Sequence, residues 1–272
     1  MSLIREIRDF NKFFEEKNAK RRSLVFYSEN RFYYQHYEKI ISRILDNTNI
    51  IIDFITSDSS DPVFEKESER FRVYLCNKLL ASLIAQITTK ALVFTMTDLG
   101  SFHIKKSGDT RVNHMYIFHA PASTTMMYRK GAFDSYDTIF CPGPKYKAEI
   151  RKNEQIYNLP HKKLVDAGYP LLEKRYKKYK SHASVRVNDQ KTVLIAPSWH
   201  DNNLIEVCGE PLIRNLLCAR LNVVLRPHPQ TLVSKFRKRK IDPIVKLFSS
   251  NDKFTFFSDF FVSAYAYPEF LV

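Results

Sequence analysis

Glycine is scarce in this chain, with six residues in 272. Collagen-like and glycine-rich low-complexity structures are excluded. The glycine-built phosphate loops are missing as well. Neither G-x-x-x-x-G-K-[ST] nor G-x-G-x-x-G occurs, so the common nucleotide loops are absent. No G-x-S-x-G elbow is present, which argues against an α/β-hydrolase. No Asp-x-Asp pair occurs, which argues against a metal-dependent nucleotide-sugar site. The four cysteines, Cys76, Cys141, Cys208 and Cys218, are far apart and form no C-x-x-C pair. They read as reduced thiols in a cytoplasmic protein, with neither a disulfide framework nor zinc. No run approaches the roughly 18 apolar residues of a membrane span. Residues 4–20 alternate charged and apolar side chains, which is not a signal peptide. Any membrane contact is expected to be peripheral.

Positive charge is what the chain has in excess. The formal net charge is +14. Basic residues gather at 17–22, 175–180 and 235–240. Such patches suit nucleic acid, anionic lipid headgroups or a phosphate-rich substrate, or they are solvated surface. The 21 phenylalanines and 15 tyrosines could suit RNA. Most of them lie in apolar runs where core packing explains them, and no RRM-like or KH-like motif occurs. Nucleic acid is therefore not expected as a partner.

Short apolar runs alternate with helix-like stretches. This pattern predicts parallel, doubly wound sheets. Residues 3–20 read as an amphipathic helix with Leu3, Ile7, Phe10 and Phe14 on one face. Strands are predicted at 24–27, 50–55, 91–96, 115–118, 138–140 and 164–167. A helix is predicted over 65–88, with Phe71, Leu75, Leu79 and Leu83 along one face. Residues 173–190 are charged and have no apolar face, so they read as a linker. A second unit follows, with strands at 192–195, 222–225 and 254–257 and a helix at 204–220. The expected organisation is an N-terminal helix (1–22), a Rossmann-like domain (23–172), the linker and a partial Rossmann-like domain (191–272).

Candidate chemistry lies where strands end. Arg226-Pro227-His228-Pro229 directly follows the apolar run 221–225. Ligands of open α/β sheets bind at the carboxyl edge of the strands. An arginine there supplies bidentate hydrogen bonds and a permanent charge. A histidine can transfer a proton near neutral pH. The competing reading pairs Arg226 with an acidic residue. Ser198 and Trp199 end the neighbouring strand and could border the same crevice. Trp199 would stack on a base or plug a domain interface. His119 ends the strand 115–118, and Ser123 and Thr124 then read as caps of a helix containing Met126, Met127 and Tyr128. His119 would be a general base beside an anion site, or simply a histidine bonded within its loop.

Phe118-His119-Ala120-Pro121, residues 131–137, Pro142-Gly143-Pro144, Gly168-Tyr169-Pro170, Ala196-Pro197-Ser198-Trp199 and Arg226-Pro227-His228-Pro229 occur in this order. Together they resemble the CDP-glycerol:poly(glycerophosphate) glycerophosphotransferases, which build teichoic acids and related capsule polymers. The resemblance covers roughly residues 90–260. It implies a GT-B architecture of two Rossmann-like domains across a cleft, with no metal or cofactor beyond the CDP-activated donor. It implies His119 as catalytic base, and Arg226 with His228 on the donor pyrophosphate. Ser123, Thr124, Ser198 and Trp199 are the further substrate-binding candidates. The implied partners are a nucleotide-activated donor and an anionic polymer or lipid-linked acceptor at the inner face of a membrane. Two departures stand out. The family usually has His-Gly where this chain has His119-Ala120. Its second donor-binding segment, rich in Ser, Thr and Asp, has only Ser258-Asp259 as a trace, and residues 260–272 do not continue it. A truncated copy is expected on that ground. The alternatives are a GT-B glycosyltransferase using a nucleotide sugar, and an inactive homologue that binds nucleotide or anionic polymer.

Overall fold

The computed structural model describes residues 2–182, 191–228, 231–232 and 234–257. The chain divides into two compact units, Met1–Glu173 and Lys174–Val272. Part of the expected linker (183–190), Pro229, Ser258, Asp259 and the tail lie outside the described residues.

The first unit is built on seven strands: β1 (Leu24–Ser28), β2 (Ile52–Thr56), β3 (Phe71–Leu75), β4 (Ala91–Phe94), β5 (Asn113–Ile117), β6 (Thr138–Cys141) and β7 (Lys163–Asp166). All neighbours pair in parallel, in the order β3-β2-β1-β4-β5-β6-β7. This is the doubly wound order, with the direction of winding reversing between β1 and β4. Parallel strands buried on both faces require continuous apolar runs. Within β1, Val25 and Tyr27 enter one core cluster while Phe26 enters the other. That alternation follows from the two-residue repeat of a strand.

Helix α3 (Tyr34–Asn47) follows β1, and its Tyr37 meets Phe26 edge-on at 5.2 Å between ring centres. Helix α4 (Leu80–Gln86) leads into β4, and α5 (Pro144–Ile156) joins β6 to β7. Asp53 on β2 is fully buried between two arginines: Arg22 Nε donates at 3.2 Å and Arg72 Nε at 2.6 Å. Unpairing such a buried group costs about 3–5 kcal/mol.

Three sequence expectations need correction here. The predicted helix 65–88 is instead strand β3 followed by α4. Its i, i+4 spacing matched a helix, but Phe71-Arg72-Val73-Tyr74-Leu75 is rich in the β-branched and aromatic residues of strands, and β2 offers it an edge to pair with. The N-terminal helix α1 (Ser2–Phe14), followed by the short α2 (Glu16–Ala19), buries only part of the predicted stripe: Phe10 and Phe14 pack against the core. Leu3 and Ile7 are exposed, whereas Glu6, Asp9 and Phe13 are buried. Glu6 Oε1 accepts from the Asn77 and Leu79 amides, both at 2.7 Å, and Asp9 Oδ2 accepts from Leu75 at 3.0 Å. The carboxylates satisfy amides at the end of β3 and the start of α4, which have no helical partners of their own. Finally, residues 124–126 form a turn and 127–128 a bend, not a helix starting at Ser123.

In the second unit, β8 (Thr192–Ile195), β9 (Asn222–Leu225) and β10 (Phe254–Phe256) form a parallel sheet in the order β10-β9-β8. Helix α6 (Pro170–His182) carries the chain into this unit, so residues 173–182 of the expected linker are helical. Helices α7 (Leu204–Cys218) and α8 (Lys235–Phe248) pack Ile205, Ile213, Ile241 and Phe248 onto the strands. The expected α/β class, with a Rossmann-like parallel sheet in each unit, is what the structure shows. The second sheet has three strands among the described residues.

Candidate functional site

Each unit has a carboxyl edge where polar side chains gather, and the two are described separately.

On the first edge, His119 lies two residues beyond β5 and is partly buried. Its Nδ1 donates to the Thr95 carbonyl, just past β4, at 2.9 Å. That bond fixes the tautomer, so the neutral ring keeps its lone pair on Nε2. Burial holds the imidazole below its ordinary pKa of 6.5, against the opposing effect of the Thr95 bond. The ring is therefore neutral at pH 7 and able to accept a proton. Tyr33 meets it edge-on at 5.5 Å, and His36 lies 6.3 Å away between ring centres. Tyr169 Oη donates to the His119 carbonyl at 2.8 Å. Gly168, at φ +65°, takes the left-handed turn that presents Tyr169. Ala120 has no positive φ, so the family's glycine is not required there.

Ser123 and Thr124 are held by a carboxylate. Ser123 Oγ donates to Glu149 Oε1 at 3.0 Å, and Thr124 N and Oγ1 donate to Oε2 at 2.6 and 2.7 Å. Burial pushes the Glu149 carboxyl up, but these bonds together outweigh it and lower its pKa. Ser123 Oγ also accepts from the Thr125 and Met126 amides, both at 3.4 Å, as a cap would, although only a turn follows.

Sequence reasoning missed Glu29. It follows β1, the strand beside the point where the winding reverses, and it is partly buried. Among the described residues its carboxyl has no hydrogen bond or ion pair. Burial raises its pKa. Its position after an apolar run was readable, but its place in the centre of the sheet was not.

On the second edge, Arg226 and His228 follow β9, as the motif predicted. The Arg226 amide donates to the Ile195 carbonyl at 2.9 Å, which continues the ladder to β8. The Arg226 side chain is partly buried and has no hydrogen bond or ion pair among the described residues. Among the described residues, the alternative pairing with an acidic residue is not seen. Burial lowers its pKa, and the charge of Arg175 lowers it further. Burial also lowers the pKa of His228. Ser198 and Trp199 follow β8 and are exposed, Trp199 at 48%. The Trp199 and His228 rings lie 6.2 Å apart. Arg237 on α8 sits 5.1 Å from the Trp199 ring centre and bonds Asp201 at 3.1 Å. Arg237 was visible only as one residue of a basic patch. Among the described residues, no cluster of three or more His, Cys, Asp or Glu could hold a metal, and no helix is long and apolar enough to cross a membrane.

No family model matches the chain. One curated protein, the teichoic acid poly(glycerol phosphate) polymerase of Bacillus spizizenii, is 25% identical over 134 residues, which covers 43% of this chain. The matched part spans 33% of that relative's length. The wall teichoic acid polymerase TagF, in a structure soaked with CDPG, aligns with a TM-score of 0.48 at 14% identity over 93% of this chain and 65% of that one. The UDP-GlcNAc 2-epimerase of Neisseria meningitidis aligns with a TM-score of 0.46 at 11% identity, over 87% of this chain and 72% of that one.

Proposed function

We propose that this chain, similar in sequence to the CDP-glycerol:poly(glycerophosphate) glycerophosphotransferases, is a transferase of cell-surface polymer synthesis. It moves glycerol phosphate from a CDP-activated donor to an anionic, teichoic-acid-like acceptor. The observation that carries the reading is Arg226: a partly buried guanidinium with no counter-ion among the described residues, on a ligand-binding edge, in one loop with His228, whose ring lies near Trp199. Such a group calls for an anion, and a diphosphate satisfies it bidentately.

The chemistry is a single displacement. Nε2 of His119 takes the proton of an acceptor hydroxyl. The oxygen attacks the phosphorus that bears glycerol, and the bond from that phosphorus to the bridging oxygen breaks. CMP leaves with the bridging oxygen. Arg226 and His228 bear the charge that develops on it. Trp199 offers its exposed face to the base, and Ser198 a hydroxyl to the same ligand. We place the protein in the cytoplasm, at an anionic membrane surface. Ile4, 77% exposed, supports this, with Leu3 and Ile7 also exposed on α1 beside Arg8.

The test is release of CMP from CDP-glycerol in the presence of a glycerol phosphate oligomer. The full chain should release it, and a His119→Ala, His228→Ala double variant should be slower by about 10²-fold or more. Full turnover by the double variant would refute the assignment.

A further inference from the structure

The first edge holds a carboxyl group that the displacement above does not use. Glu29 sits in a loop pinned on both sides. Ser28 Oγ donates to the Asn30 carbonyl at 2.7 Å, and Asn30 Oδ1 accepts from the Phe32 amide at 2.9 Å. Two residues on, Arg31 could neutralise Glu29 but instead bonds Asp58 through Nε at 2.7 Å. Arg129, the other arginine on this edge, is bound to Asp98. Both nearby guanidinium groups are thus held by other carboxylates. Around Glu29 stand phenols. Burial raises the pKa of Tyr27, Tyr33, Tyr37 and Tyr136, and a negative charge at Glu29 adds to each. Three of these have hydroxyl partners elsewhere: Tyr27 on Ser57, Tyr37 on the Tyr27 carbonyl and Tyr136 on the Met96 carbonyl. The Tyr33 hydroxyl has no hydrogen bond among the described residues, and of these four rings Tyr33 is the one packed against His119.

A partly buried carboxyl without a partner is costly, and its presence asks for a ligand that completes it. A phosphate would be repelled. A metal would need further carboxylates or histidines, and no such cluster exists among the described residues. A hydroxyl fits, because carboxyl oxygens accept hydrogen bonds and a polyol has hydroxyls to give.

We infer that Glu29, with Tyr33, binds the polyol end of the acceptor: Glu29 accepts a hydrogen bond from a hydroxyl neighbouring the one that attacks, and so orients the nucleophile toward His119. This rests on the transferase reading and adds the group that selects the acceptor. The selectivity is for a terminal vicinal diol over a lone hydroxyl. A hydrogen bond to a charged group is worth about ten- to a hundredfold in affinity.

The experiment is calorimetric binding of two synthetic glycerol phosphate oligomers to the full chain, without donor. One ends in glycerol; the other ends in a propanol unit lacking the neighbouring hydroxyl. The natural chain should bind the diol-ended oligomer about tenfold more tightly or better. Glu29→Ala should remove that preference, and Glu29→Gln should reduce it. Folding does not confound the result, because Gln keeps the size and shape of the side chain and should leave the melting temperature equal or higher. A natural chain with no preference, or a Glu29→Ala variant that keeps it, overturns the inference. CDP-glycerol binding is measured in parallel. Loss of donor binding with the diol preference intact would overturn the transferase reading alone.

Discussion

The two carboxyl edges are mirror images in charge. The first presents a carboxyl, Glu29, unpaired among the described residues, with phenols and a neutral imidazole on the same edge, and its arginines Arg31 and Arg129 are each bound to a carboxylate. The second presents a guanidinium, Arg226, unpaired among the described residues, in the loop of a histidine whose ring lies near a tryptophan. The backbone does not make this difference. Both edges belong to parallel sheets wound in the same sense, and β3-β2-β1 in one matches β10-β9-β8 in the other. What differs is the few residues after each strand. Fold places the ligand; loop chemistry chooses it. On the proposed reading, the first edge serves hydroxyls and proton removal, the second phosphate.

Removing the second edge's cation tests the division most strongly. Arg226→Ala should weaken CDP-glycerol binding by about ten- to a hundredfold, the worth of a charge-assisted hydrogen bond. Binding of the acceptor oligomer should not change. Because the Arg226 amide holds β8 through the backbone, the fold should survive. Arg226→Lys should recover only part of the affinity, since an ammonium lacks the planar fork. Titration calorimetry reads both. If Arg226→Ala binds CDP-glycerol within twofold of the natural chain, the edge does not hold the diphosphate.

A smaller effect separates the two histidines by pH. Burial depresses both below 6.5, so both are neutral in the free protein at pH 7. His119 must lose no lone pair to act as base. The acid limb of kcat/KM should therefore fall below 6.5, and activity should drop as pH falls through it. His228 faces the opposite demand. An anionic donor beside it raises its pKa, so binding takes up a proton. Donor affinity should rise as pH falls, by up to about tenfold per unit. His228→Ala should flatten the affinity profile and leave the acid limb in place. Identical pH profiles for binding in His228→Ala and the natural chain would break the assignment.

How much of this was legible follows from what each feature depends on. Strands β1, β2 and β4 to β10 announced themselves as short apolar runs, because a strand buried on both faces needs one. The positions of His119, Arg226 and His228 were readable as the residues next after such runs. Strand β3 was not, because Phe71, Leu75, Leu79 and Leu83 satisfy helical spacing while the pairing with β2 lies nineteen residues away in sequence. Helix α1 misled in the same manner: its apolar stripe is real, but backbone amides near Asn77 recruit Glu6 and Asp9 to the inner face. Glu29 is an ordinary glutamate until β1 is known to lie between β2 and β4.

Thr124 should give the smallest effect, and it sharpens the first edge by subtraction. A capping or substrate-binding threonine would lose function when truncated. Here Thr124 is 3% exposed, and both its amide and its hydroxyl point at Glu149. Thr124→Ala removes one of the bonds to that carboxylate while the Thr124 amide and Ser123 keep theirs. The expected cost is about 1 kcal/mol, a melting temperature lower by about 2–4 °C. Donor affinity, diol preference and CMP release should stay within twofold, because Glu149 holds the loop from a different element than the one that carries His119. Collapse of CMP release with an unchanged melting temperature would put the Thr124 hydroxyl on the substrate. The first edge would then extend along the loop after β5 as well as around the loop after β1.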